Sequence, residues 1–235
     1  MNRLARISLS FAASALLLAN SAAKDPDNPT CPKVPDWGPS KAMTLTPVDR
    51  GGKRVLLAEG VVDAFLPDRM YNALEADETI EEVWLRSPGG DAHAGNETGT
   101  VIRSFMGVHT RIPKGWTCFS ACNFVFMGGL RRYIDPEGVF MVHMFTHTGQ
   151  REVIAESVDK GTEDTVELIG EIEQLSALLA SEDNDFLIRM GLSRKLLTDI
   201  MYRQLATGGK SGNGERYCLN QAEALEYGVV NPELK

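Results

Sequence analysis

A serine set between two cysteines, Cys118-Phe119-Ser120-Ala121-Cys122, stands twenty-three positions ahead of a histidine inside an apolar run, Val139-Phe140-Met141-Val142-His143-Met144-Phe145. A hydroxyl where a strand ends and a helix starts, followed by one imidazole within a strand, supplies the nucleophile and general base of acyl transfer. About thirty residues upstream, Arg86-Ser87-Pro88-Gly89-Gly90-Asp91 reads as a turn able to aim backbone N–H groups at a developing oxyanion. With Ser120 as nucleophile, the N–H of Ala121 sits at the helix start, where the helix dipole adds to it. The chemistry implied is peptide hydrolysis without a cofactor.

Each part has a plainer reading. Serine caps helix N-termini with its hydroxyl, and Pro-Gly-Gly is a frequent chain breaker. His143 is harder to set aside, because an imidazole in an apolar strand costs stability unless its nitrogens find partners. His93 and His109 sit in polar or edge contexts, and His147 follows the strand in a Thr-His-Thr loop. No two histidines have metal-ligand spacing, and the cysteines lack a zinc pattern. Lys114, in an Ile-Pro-Lys-Gly turn, is a poor partner for a Ser/Lys dyad, and no Gly-x-Ser-x-Gly elbow is present. The order of oxyanion turn, nucleophile and base is more specific than any one of them.

Residues 1–23 run from a basic start (Arg3, Arg6) through an apolar stretch to Ser21-Ala22-Ala23. That is the order of a cleavable export signal, and its apolar part is short for a bilayer span. We therefore expect a periplasmic or secreted protein, with an uncleaved N-terminal membrane anchor as the alternative. Cleavage would take the formal charge from −8 to −10, and an acidic chain without a Lys/Arg cluster is a poor nucleic-acid binder. All four cysteines fall in the exported part, where disulfides form. The preferred pairing is Cys31–Cys218, with Cys118 and Cys122 either bridged or packed as small apolar residues.

Residues 24–42, rich in proline, read as an extended tail, and 43–235 as one α/β domain. Strands are expected over 54–58, 83–85, 108–112, 216–219 and 228–230, and helices over 68–76, 97–106 and 120–127. Short apolar strands alternating with helices imply right-handed crossovers and a mostly parallel sheet. Ligand sites in such sheets lie beyond the strands' carboxyl ends, where Ser120 and the Gly89-Gly90 turn fall. A charged helix from Arg151 to about Leu179 reads as a projecting arm (151–180), whose apolar stripe calls for a second copy of the chain. Helices over 185–190 and 193–202 and a glycine-rich loop over 207–214 complete the pattern.

The motifs also resemble a known family. Arg86-Ser87-Pro88-Gly89-Gly90, Cys118 to Cys122, Gly129 with Arg131, Val142-His143 and the tail Ala222-Glu223-Ala224-Leu225-Glu226-Tyr227-Gly228-Val229-Val230 look like the proteolytic subunit of the Clp protease. Its exported bacterial relatives are closer still. The resemblance implies a ClpP/crotonase-like α/β core, Ser120 as nucleophile, His143 as base, and the N–H groups of Gly89 and Ala121 as oxyanion hole. It also implies subunit contacts through 151–180. For the family's late aspartate the nearest match is Asp199, one residue out of register, with Asp183, Asp185 or a bare Ser-His dyad as alternatives.

Three function classes follow: an exported serine peptidase acting on peptides or unfolded proteins, a crotonase-like acyl-CoA enzyme, and a catalytically silent scaffold or binding module. Export argues against the second, since coenzyme A is cytoplasmic, and against any ATPase partner.

Overall fold

The computed structural model describes residues 23–26, 28–143, 150–206 and 216–232. The 1–23 export signal, apart from its last residue, therefore lies outside the described residues, as do His147 and the 207–214 loop. The fold is mixed α/β, with strands that run mostly parallel. Its main sheet has the order β1-β2-β3-β4-β6, formed by Thr44–Arg50, Lys53–Glu59, Ile80–Arg86, His109–Ile112 and Arg132–Ile134. Only β1 runs antiparallel to its neighbour. A second sheet, β5-β7-β8 (Thr117–Phe119, Val139–His143, Arg216–Cys218), pairs β5 with β7 in parallel and β8 antiparallel to β7.

The two sheets are spliced at one point. Ser87 N–H donates to the Thr117 carbonyl at 3.0 Å and Phe119 N–H donates to the Ser87 carbonyl at 3.1 Å, a parallel bridge between Ser87 and Cys118. Because both chains leave this bridge in the same direction, the residues two positions on, Gly89 and Ser120, must emerge side by side.

Helices α1 (Leu66–Ala76), α2 (Ala92–Ser104) and α3 (Cys122–Met127) cover the main sheet. Asp91 caps α2 by accepting the Ala94 N–H at 2.9 Å. Helix α2 lies against α3 at backbone distance: a Cβ on Gly99 would stand 2.3 Å from the Phe124 carbonyl oxygen, so no larger residue fits there. The core between sheet and helices gathers Leu56, Leu66, Met70, Val83, Leu85, Ile102 and Val125, all fully buried.

Several sequence expectations are corrected. The 151–179 helix is two helices, α4 (Arg151–Lys160) and α5 (Thr162–Arg189), because Gly161 at φ 126° breaks the run. The helix expected at 185–190 is the end of α5; Phe186 and Leu187, 0% exposed, anchor it in the core and carry the helix through the polar Ser181 to Asp185 stretch. The strand expected at 228–230 is a turn. Its carbonyls are taken by the buried Arg132 guanidinium, which donates to Gly228 at 2.9 Å and Val229 at 3.0 Å.

The 24–42 segment holds only isolated bridges, yet it is packed rather than loose. Cys31 is 1% exposed and is bonded to Cys218, and Asp36 pairs with Arg86 at 3.0 Å. Helices α6 (Lys195–Ala206) and α7 (Gln221–Glu226) close the fold, α7 through an Asn220/Glu223 capping box. Among the described residues no helix is long and apolar enough to cross a membrane.

Candidate active site

Ser120 follows β5 and precedes α3, and its backbone sits at φ 57°, the left-handed region that a non-glycine residue rarely adopts. The helix does not begin at Ser120, as periodicity suggested, but at Cys122. That sharp reversal turns the serine side chain away from the strand direction. A Cys118–Cys122 disulfide, with Cα atoms 5.4 Å apart, straps the turn from below.

Parallel pairing of Phe119 with Met141 sets the opposing strand in register, and Ser120 N–H extends it to the Met141 carbonyl at 3.3 Å. Two residues further along β7 comes His143. Its Nε2 lies 2.6 Å from the Ser120 hydroxyl oxygen, a full hydrogen bond. The imidazole leans on Phe119 with ring centroids 4.7 Å apart, and Phe119 stacks in turn on Trp37 at 5.9 Å. The N-terminal segment thus buttresses the His143 imidazole.

The glycine turn reaches the same place. Gly89 has φ 86°, and a Cβ there would stand 2.6 Å from the Ser120 Cβ and 3.1 Å from the Ala121 nitrogen. Among the described residues the Ala121 N–H has no hydrogen-bond partner, whereas the Gly89 N–H donates to the Ser87 hydroxyl at 3.1 Å. Ser120, His143, Gly89 and Ala121 are therefore brought together.

Asp199 is placed elsewhere. It lies on α6 and accepts the Tyr227 hydroxyl at 3.1 Å; among the described residues it shares no hydrogen bond or ion pair with His143. Asp183 accepts the Asn96 amide at 2.8 Å, and burial, reinforced by Glu182, pushes its pKa up to about 6. Asp185 faces a shallow hollow with His93 and Glu182. His93 is exposed, 3.5 Å from Glu182. His109 is held below its ordinary pKa by burial. Lys114 is exposed beside Glu137.

Sequence reasoning missed Asn123. Fully within the fold, it donates through Nδ2 to the Met141 carbonyl at 2.7 Å, tying α3 to the strand that carries His143. No motif marks it; only its position three residues after Ser120 could have drawn attention. The site opens into a mainly apolar cavity of about 500 Å³ whose walls include Ser120, His143, Phe124, Phe140 and Leu179, a size typical of small-ligand pockets. Among the described residues no group of three or more His, Cys, Asp or Glu side chains is arranged to hold a metal ion.

No protein-family profile matches the chain. No curated protein matches it either. Among solved structures it is similar to a point mutant of ClpP1 from Listeria monocytogenes, with a TM-score of 0.47 and 17% identity over 75% of this chain and 88% of that chain. An overlap of that extent by itself identifies neither family nor activity.

Proposed function

We propose that this chain is a serine hydrolase that cleaves peptide bonds with Ser120 as nucleophile and His143 as general base. The observation that carries the reading is the 2.6 Å contact between the Ser120 hydroxyl and His143 Nε2 at the mouth of an apolar cavity. With the ring proton on Nδ1, Nε2 takes the hydroxyl proton as Oγ attacks the scissile carbonyl. The oxyanion so formed is met by the unpartnered Ala121 N–H and by the Gly89 turn beside it. His143 then returns the proton to the leaving amine, and water attacks the acyl-enzyme by the reverse path. Asp199, which accepts the Tyr227 hydroxyl, is given no part in the reaction.

A silent scaffold is the second reading, favoured by that same Tyr227 contact and by the Gly89 N–H already given to Ser87. A fluorophosphonate probe separates the two. The hydrolase is modified at Ser120, and Ser120→Ala and His143→Ala abolish or nearly abolish labelling. A folded, unlabelled chain overturns the hydrolase reading.

We further propose export and self-assembly. Pairing of Cys31 with Cys218 and of Cys118 with Cys122 suits an oxidising compartment. On α4 and α5, Val153, Val158, Val166, Ile169, Leu175 and Leu178 are 49–62% exposed, an apolar stripe that a second copy of the chain would cover. Light scattering at micromolar concentration should give a mass above that of one chain; a monomer there would remove the assembly proposal.

A further inference from the structure

The cavity beside Ser120 has apolar walls, chiefly Phe124, Met127, Phe140, Leu196 and Ile200. Its described lining includes no lysine or arginine, and its titratable side chains are His143, Asp183 and Tyr202. Asp183 enters from α5. It is half-buried, and its one hydrogen bond among the described residues is the 2.8 Å contact from Asn96 to Oδ1. Oδ2 has no hydrogen bond and no ion pair there. The neighbouring Glu182 turns to His93 instead, at 3.5 Å.

A half-buried carboxylate in an apolar wall, with one neutral donor, leaves acceptor capacity open toward the cavity, and a partly desolvated charge is well met by a cation. Among the described residues none is supplied, so the open position fits a ligand. What complements an apolar channel with one acid in its wall is an aliphatic stem ending in an ammonium group. Resting on the serine-hydrolase reading, we propose that this cavity receives the substrate side chain on the acyl side of the scissile bond, and that Asp183 selects lysine there. Asp183 is then a specificity-determining residue, and the candidate substrates are peptides cut after lysine. A neutral stem would gain the walls but leave the carboxylate unpaired.

The test is binding to the full chain carrying Ser120→Ala, at pH 8, by titration calorimetry. The probes are short acetylated peptide amides that differ in one residue: lysine, norleucine or Nε-acetyl-lysine. The lysine peptide should bind about tenfold more tightly than the other two, the size expected of one charge-assisted contact. Asp183→Asn should erase that advantage. Equal binding of norleucine, an advantage that survives Asp183→Asn, or no binding by any of the three overturns the assignment. If Asp183→Asn fails to fold, the comparison of the three peptides still decides, because it removes the charge from the ligand instead. Fluorophosphonate labelling of the chain with Ser120 intact is read separately. Labelling without lysine preference removes only the pocket assignment, and lysine preference without labelling removes only the hydrolase.

Discussion

A side-chain carbon placed on Gly89 would stand 2.6 Å from the Ser120 Cβ, so the glycine turn and the serine turn touch with no room between them. The contact follows from the Ser87–Cys118 bridge, which splices the two sheets two residues earlier in each segment. Gly89→Ala must therefore push the Ser120 side chain aside, and it also places a Cβ at φ 86°. We expect the fluorophosphonate labelling rate to fall roughly 100-fold, the scale set by an ångström of misplacement. Stability should fall by about 1–3 kcal/mol. Labelling at the unaltered rate would show that the turn has no part in holding the oxyanion.

The two disulfides should separate in what they support. Cys31–Cys218 closes a loop with a sequence separation of 187, and Cys118–Cys122 one with a separation of 4. On chain-entropy grounds, removing the first costs about 5 kcal/mol and the second about 2 kcal/mol. Activity should rank the other way. Replacing Cys118 and Cys122 together with alanine frees the turn that holds Ser120 at φ 57°, so labelling should slow more than when Cys31 and Cys218 are replaced. Denaturant melts and labelling rates on the two double variants check both orders.

Asp183 and Glu82 should give opposite pH slopes. Burial, reinforced by Glu182, raises Asp183 to about 6, so the folded chain holds its proton more tightly than the unfolded chain does. Stability from this group is full below about pH 4, near the unfolded value, and is lost as pH rises through about 6. The facing groups are Glu182 on the same helix, Asn96 and His93 on α2, and His143 and Tyr202 across the cavity. Asp183→Asn should therefore stabilise the chain by roughly 2 kcal/mol at pH 8 and by little at pH 4.

Glu82 behaves oppositely. Burial works to raise its pKa, but hydrogen bonds from Arg111, Lys53 and Trp84 outweigh that and hold it at about 2. Its contribution is present above the unfolded value and lost as pH falls toward 2. Melting temperatures of Asp183→Asn and Glu82→Gln across pH 3–8 would check both signs.

Arg132 joins the end of α3 to the C-terminal turn by donating to the carbonyls of Met127, Gly129, Gly228 and Val229 at 2.9–3.4 Å. Burial lowers its pKa to about 10. Arg132→Met keeps apolar bulk but leaves those carbonyls without a donor. A loss of roughly 3 kcal/mol or more in a urea melt is expected. A melt within 1 kcal/mol, about the value of a single hydrogen bond, would mean that water serves those carbonyls equally well.

Much of this could be read from residue types and spacing, because local order follows local chemistry. The Val139 to His143 strand, the Gly89-Gly90 turn and the serine junction all announce themselves through apolar runs and breakers. Asp91 and Asn220 as helix caps are of the same kind. Where a prediction failed, a distant residue had intervened. Phe186 reached the core and drew a polar stretch into α5, and Arg132 captured the carbonyls at Gly228 and Val229 before they could join a sheet.

The one-dimensional chain determined that a hydroxyl, an imidazole and a glycine turn would each stand at the end of an element. Only the tertiary structure decided that the three ends meet, through the Ser87–Cys118 splice and the Phe119–Met141 register. It alone put Asp199 beside Tyr227 and Asp183 in the cavity wall with Asn96, 87 positions away. The physical reason is range. Backbone preference and apolar periodicity act over a few residues, whereas the pairing of a carboxylate is settled by whichever donor packing brings within hydrogen-bond reach.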